Sequence, residues 1–175
     1  VASVMNSFND VNGIPATGDE YLQRTQLKEN WKFDGFVVSD WGSMREMIAH
    51  GYAPDLKTAT EMAIEAGSDM DMESEGYQQY LQDLVESGKV DISLVDDAVR
   101  RVLRVKFHLG LFDNPYLYND LKREEELVYN EAHHDVALRA AQGSIVLVEN
   151  KEQLLPLNKK RESIAVIGLL AQDKD

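Results

Sequence analysis

The sequence predicts an α/β fold in which parallel strands alternate with helices, as in the tail of a β/α repeat. Two observations predict it. Val1-Ala2-Ser3-Val4-Met5 and Gly35-Phe36-Val37-Val38 are apolar runs without a charge that end in polar residues, as strands buried on both faces do. The longer segments between and after them have helical periodicity, and Gly67, Gly88 and Gly110 stand where three of them stop. The order reads strand, helix, strand, helix, strand, helix, helix. A closed (β/α)₈ barrel takes about 250 residues, so three strands cannot complete one, and the chain reads as a piece of a longer protein.

Each element has a local reason. Val1 to Phe8 is a short strand, without the initiator Met and charged start of a signal peptide. Asn12-Gly13 and Pro15 mark a turn. Asp19 is a fair cap for a helix through about Asn30, with Leu22, Leu27 and Trp31 facing inward. After the central strand, a helix runs from Pro54, well placed in a first turn, to Ala66. Ser68-Asp69-Met70-Asp71-Met72-Glu73 alternates strictly and reads as a strand with acids on one face and methionines on the other. Helices follow over Tyr77 to Ser87 and, capped by Asp91, over Ile92 to Leu109. The second has an apolar stripe of Val95, Val99, Val102, Leu103 and Phe107, with Arg100, Arg101, Arg104 and Lys106 where the macrodipole favours cations.

Beyond Leu111 the pattern changes. Lys122 to Glu126 is a charge run, Glu124 to Gln142 reads as one helix stopped by Gly143, and Ser144 to Val148 and Ser163 to Gly168 read as buried strands. The boundaries drawn are 1–112 for the first domain, 113–125 for a linker and 126–175 for the start of a second domain.

Composition narrows the function. The 175 residues are 43% hydrophobic and 28% charged, ordinary for a globular protein. A net charge of −13 argues against a nucleic-acid partner, since nothing would neutralise phosphates. There is no cysteine, which excludes disulfides and thiolate zinc sites. No apolar run approaches the roughly 20 residues of a membrane span. His133 and His134 are adjacent and point apart on a helix, and no glycine-rich phosphate loop follows Val166-Ile167-Gly168.

The chemistry converges on Asp40. Gly35-Phe36-Val37-Val38-Ser39-Asp40-Trp41-Gly42 places a carboxylate where a buried strand ends, and strand carboxyl ends display reacting groups in α/β folds. A carboxylate can attack an electron-poor carbon, and an indole face can carry the apolar face of a pyranose. The plainer alternative is that Asp40 caps a helix starting near Ser43. Asp69, Asp71 and Glu73 invite a hard cation; the alternative, preferred here, is that they bond to backbone and neighbouring side chains, with no metal and no cofactor.

These residues resemble glycoside hydrolase family 3, the β-glucosidase group. Gly35 to Gly42 is similar to its nucleophile segment, Phe8-Asn9-Asp10-Val11-Asn12-Gly13-Ile14-Pro15 to its loop after barrel strand six, and Ala66 to Met72 to its eighth-strand segment. Arg100 to Lys106 with Leu109 to Phe112 resembles the barrel-closing helix and exit, and Ser144 to Asn150 with Leu155-Pro156-Leu157 the start of an α/β sandwich domain. The resemblance implies the C-terminal part of a (β/α)₈ TIM-type barrel followed by the start of that sandwich domain. It implies a retaining exo-acting β-glycoside hydrolase releasing terminal β-linked glucose or a related sugar, with Asp40 as catalytic nucleophile and Trp41, Phe8 and Met72 at the sugar. Many members have tyrosine where Phe8 stands, and Met72 has the alternative of a core methionine. Trp41 leans the reading towards glucosidases. The acid/base glutamate and a Lys-His pair that holds the sugar are expected in parts of the parent chain beyond this segment, and the isolated segment is expected to be inactive. Partners reduce to a small-molecule or oligosaccharide substrate, with no nucleic acid and no membrane, in a periplasmic or secreted setting. The competing reading is a non-catalytic α/β carbohydrate-binding module.

Overall fold

The computed structural model describes residues 1–160 and 163–171. The chain divides into two compact units, Val1–Asn119 and Asp120–Asp175. In the first, β1 (Ser3–Met5) pairs in parallel with β4 (Phe36–Val38), Val4 opposite Val37, and Val38 forms a single parallel bridge with Met70. All three segments therefore run the same way and end on one edge. Gly35 makes the first pairing possible, because a side chain there would overlap the Ala2 carbonyl. Between β1 and β4, strands β2 (Asp10–Val11) and β3 (Ile14–Pro15) form a hairpin. Its turn, Asn12-Gly13, has φ of 54° and 82°, the left-handed pair that matches hairpin twist.

A 3₁₀ turn (Ala16–Gly18) leads into Tyr21–Asn30, which is a π-helix. Asp19 does cap this element, its Oδ1 accepting from Leu22 N at 3.0 Å. The expected inner face is wrong, however. With i→i+5 bonding, Gln23 and Lys28 share the buried side, Leu22 and Leu27 are half-buried and Trp31 is exposed. A 3.6-residue period does not describe this winding.

Four α-helices follow: α1 (Ser43–Ala49), α2 (Leu56–Ala66), α3 (Gly76–Glu86) and α4 (Ile92–His108). Helix α2 is capped by Asp55, whose Oδ1 accepts from Thr58 N at 2.8 Å, so Pro54 lies just outside the helix. Gly67 ends it at φ 107°. Met44, Met47, Ala53, Ala59 and Ala63 pack into one core cluster; Ile64, Leu84, Val90 and Ala98 form a second. The predicted stripe of α4 is engaged only in part. Val95 packs on the second cluster, while Val99, Leu103 and Phe107 stay exposed and Phe107 stacks on Phe112 at 4.2 Å. The arginines of α4 grip backbone: Arg101 Nη1 donates to the carbonyls of Phe33 and Gly35 at 3.0 Å, and Arg104 Nη1 to that of Asp34 at 2.6 Å.

The segment Ser68 to Glu73 is not a strand beyond its one bridge. Asp69 clamps Val37 from both sides: its backbone N–H donates to the Val37 carbonyl at 2.8 Å, and its Oδ2 accepts from Val37 N at 2.8 Å. A side chain thus takes a place that a backbone acceptor would hold in a ladder. The chain then turns, with Glu73 and Glu75 at φ of 70° and 60°.

In the second unit, α5 (Leu121–Leu127) and α6 (Glu131–Ser144) replace the single helix expected from Glu124 to Gln142. Tyr129 at φ 57° breaks the run, and Asn130 caps α6 through His133 N at 2.9 Å. Gly143 does not stop α6. The runs expected as strands at 144–148 and 163–168 are unpaired, and Ile145, Val148, Ile164 and Ile167 are exposed. A strand exists only against a neighbour, and the described residues of this unit offer none.

The first unit rests on one buried ion pair. Lys28 Nζ lies 2.6 Å from Asp69 Oδ1 and donates to the Gly67 carbonyl at 2.8 Å, with both side chains almost fully buried. In the parent protein, Lys28→Met should leave Asp69 buried without its partner and cost about 3–5 kcal/mol, read as a fall in the urea midpoint. Burial outweighs the pull of Asp69 and holds the Lys28 ammonium below the usual lysine pKa. Between that lowered value and the usual one, the unfolded chain binds more protons than the folded chain. The Lys28 contribution to stability should therefore rise with pH across that alkaline window, and Lys28→Met should remove the rise.

Candidate active site

The edge where the three parallel segments end is built from Asn6 to Phe8, Ser39 to Gly42 and Met70 to Met72. Asp40 stands two residues past β4, half-buried. Its Oδ1 accepts from Trp41 N at 2.7 Å, and its carbonyl accepts from Ser43 N at 3.1 Å. The carboxylate is not the cap of α1. That position belongs to Gly42 at φ 70°, with no side-chain bond. Among the described residues no hydrogen bond reaches Oδ2 of Asp40, so one oxygen is anchored and the other is available.

Trp41 is 64% exposed, leaving its indole open to a ligand. Met72 is drawn against the same loop by its backbone: Gly42 N donates to its carbonyl at 2.8 Å, and its own N–H donates to Ser39 Oγ at 2.8 Å. Phe8 is half-buried three residues beyond β1, in the loop that Ala16 N closes by donating to the Asn9 carbonyl at 3.1 Å. Asn6 N donates to the Val38 carbonyl at 3.1 Å, so this loop leaves from the same edge as Asp40. His50, which ends α1, places Nδ1 3.0 Å from Asp10 Oδ1 and so ties α1 to the β2–β3 hairpin.

Two of the three acids considered for a cation are used otherwise. Asp69 serves Lys28 and Val37. Asp71 Oδ1 accepts from Ser74 N at 3.2 Å, and its Oδ2 accepts from Gly76 N at 2.7 Å and Tyr77 N at 3.4 Å, so it caps the start of α3. Glu73 is exposed. Among the described residues no group of three or more His, Cys, Asp or Glu is placed to hold a metal ion. Burial, with Asp69 and Asp71 nearby, pushes the Tyr77 hydroxyl well above its usual pKa, and it stays a donor to the Ser68 carbonyl.

Beneath the edge lies a polar cluster that sequence reasoning missed. Asn6, Thr17, Gln23, Ser43 and Ser68 are all buried. Asn6 Nδ2 donates to Ser68 Oγ at 2.9 Å, Thr17 Oγ1 donates to Asn6 Oδ1 at 3.0 Å, and the Thr17 and Ser43 hydroxyls lie 2.9 Å apart. Gln23 Nε2 donates to the carbonyls of Ala16 and Thr17 at 2.8 and 3.0 Å. The cluster joins the exits of β1 and α2 to the 3₁₀ turn, the π-helix and the start of α1. The only sign in the sequence is a polar residue, Asn6, directly behind an apolar run.

The sequence model of the glycosyl hydrolase family 3 N-terminal domain matches residues 1–105. The chain belongs to glycosyl hydrolase family 3. It is 42% identical to a periplasmic beta-glucosidase of Salmonella typhimurium over 98% of its own length and 23% of that protein. It is 37% identical to a putative beta-xylosidase of Formosa agariphila over 97% of its length and 22% of that protein. Among solved structures, a beta-glucosidase from Listeria innocua in complex with glucose superposes with a TM-score of 0.69 at 42% identity, covering 88% of this chain and 21% of that one. The chain spans less than a quarter of the length of these family 3 relatives. Among the described residues no helix is long and apolar enough to cross a membrane.

Thr17→Val removes the hydroxyl that links Asn6 to Ser43 and leaves their polar atoms short of a partner in the interior. The expected cost in the parent protein is about 1–3 kcal/mol, measured as a lowered midpoint in chemical denaturation.

Proposed function

We propose that this chain is part of a retaining, exo-acting β-glycoside hydrolase that releases terminal β-linked glucose or a related sugar through a glycosyl ester on Asp40. The observation that supports it most is the place of Asp40: past the carboxyl end of a parallel strand, half-buried, with one oxygen fixed and one unengaged. Residues 1–112 are then the C-terminal part of a TIM-type barrel, 113–125 a linker and 126–175 the start of an α/β sandwich domain. The shared direction of β1, β4 and the bridged Met70 segment and the family match over 1–105 support that assignment.

In this mechanism Oδ2 of Asp40 attacks the anomeric carbon while the bond to the leaving oxygen breaks. A carboxylic acid about 5–5.5 Å from Asp40 protonates that oxygen. The same group then takes a proton from water, which attacks the anomeric carbon, displaces Asp40 and releases the sugar. The acid/base glutamate, and the Lys-His pair that holds the sugar, belong to other parts of the parent. Trp41 carries the apolar face of the ring, and Phe8 and Met72 complete the wall. The substrate is a small glycoside or an oligosaccharide. The name of the Salmonella relative favours a periplasmic or secreted parent.

In the full-length parent, Asp40→Ala should abolish turnover and leave the circular dichroism spectrum unchanged. A slow 2-fluoro-sugar substrate should add one glycosyl unit to the peptide containing Asp40, read by mass spectrometry. Label on another acid would overturn the nucleophile assignment, and sugar binding without hydrolysis would favour a carbohydrate-binding module. The 175 residues alone should be inactive, since unpaired strand edges and half a catalytic pair cannot support the reaction; hydrolysis by a monodisperse preparation of this piece would refute that.

A further inference from the structure

The hydroxyl of Ser39 has a place that the steps above do not use. Ser39 follows β4 directly and is fully buried, 0% exposed. Its backbone N–H donates to the Met70 carbonyl at 2.9 Å, next to the one bridge between the two segments. Beyond that point the pairing stops and the side chain takes over. Ser39 Oγ accepts from Met72 N at 2.8 Å and donates to the Asp40 carbonyl at 3.0 Å. Gly42 N closes the loop by donating to the Met72 carbonyl at 2.8 Å.

Both backbone groups of Met72 are thus held by the turn that carries Asp40, and one of the two holds is a single hydroxyl. That hydroxyl and Ser43 N, which donates to the same Asp40 carbonyl at 3.1 Å, together fix the plane of the Asp40–Trp41 peptide, whose N–H is the donor to Asp40 Oδ1. Rotation of that plane would swing the anchored oxygen and, with it, the reacting one. An apolar side chain of the same size would leave Met72 N without an acceptor in a half-buried place and leave the Asp40 carbonyl held by Ser43 N alone.

We propose that Ser39 is a positioning residue for the reaction at Asp40: through the Asp40 carbonyl and the Met72 N–H, its hydroxyl sets the direction in which the carboxylate presents its attacking oxygen. The proposal rests on Asp40 being the nucleophile. Its effect falls on the step in which the carboxylate bonds to the sugar; sugar binding changes little, because Gly42 N still holds the Met72 carbonyl. Misplacement of a reacting group by about 1 Å costs on the order of 10²-fold in rate.

The test uses the full-length parent enzyme with Ser39→Ala and Ser39→Thr, each compared with the unaltered protein for its melting temperature and circular dichroism. Inactivation by a 2-fluoro-glycosyl reagent separates the rate of bond formation from binding of the reagent. We expect Ser39→Ala to fold, to bind the reagent within about threefold of the unaltered enzyme and to form the glycosyl ester about 10²-fold more slowly. Ser39→Thr, which keeps the hydroxyl, should recover most of that rate. Ester formation at the normal rate in Ser39→Ala would overturn the proposal. So would an equal loss in the two variants, or a Ser39→Ala protein that does not fold, because either result makes the position a matter of packing. Label recovered from an acid other than Asp40 in the unaltered enzyme removes the nucleophile itself, a failure distinct from the three above.

Discussion

The buried pair of Lys28 and Asp69 is the interaction on which the first unit depends. Asp69 does three things at once: it neutralises Lys28, accepts from Val37 N and donates its own N–H to the Val37 carbonyl. The strand that leads to Asp40 is only three residues long, and its ladder with the Met70 segment is a single bridge. A pairing that short cannot fix the direction of a strand by backbone bonds alone. The carboxylate supplies the missing constraint from the side, and the ammonium makes a buried carboxylate tolerable there.

The same logic continues towards the edge. Where β1 and β4 stop, a buried polar side chain takes over, Asn6 and Ser39, and a third, Ser68, stands at the start of the Met70 segment. Hydroxyls and amides bond at fixed angles, so they pass direction from one loop to the next as apolar packing does not. The apolar clusters around Met44 and Leu84 lie among the helices and hold those helices together. Placement of the edge thus rests on the polar interior, and packing of the helices on the apolar one.

Much of this was legible in the sequence. The charge-free run before Ser39 does form a strand, Asp91 does cap α4, and Gly67 does end α2 in the left-handed conformation. Such features depend on a few neighbouring residues. The misreadings share a different cause. Ser68 to Glu73 alternates as a strand does, yet Asp69 bonds across to Val37 and Asp71 bonds forward to α3, so side chains displace the ladder that the pattern suggested. In Tyr21–Asn30 the inner face is polar because Gln23 and Lys28 find partners more than forty residues away, Ser68 and Asp69. In the second unit, apolar runs had the composition of strands but, among the described residues, no neighbour to pair with. Asp40 and Trp41 could be singled out by type and order; the Asn6–Thr17–Ser43 contacts could not, because Asn6 behind its apolar run does not say which distant residues it meets.

The winding of Tyr21–Asn30 has a consequence for how this segment tolerates change in length. Each turn closes over five residues rather than four, and that is what brings position 23 and position 28 round to the same side. Deleting one residue between them would let the coil tighten to ordinary geometry with its main-chain bonds intact. The amide at 23 and the ammonium at 28 would then stand four positions apart, which on an α-helix is still one face, and the strand beside them would keep its lateral support. A gap of one residue here is therefore absorbed, whereas the same tightening at the present length would turn position 28 away from position 23 and be felt at the far end of β4.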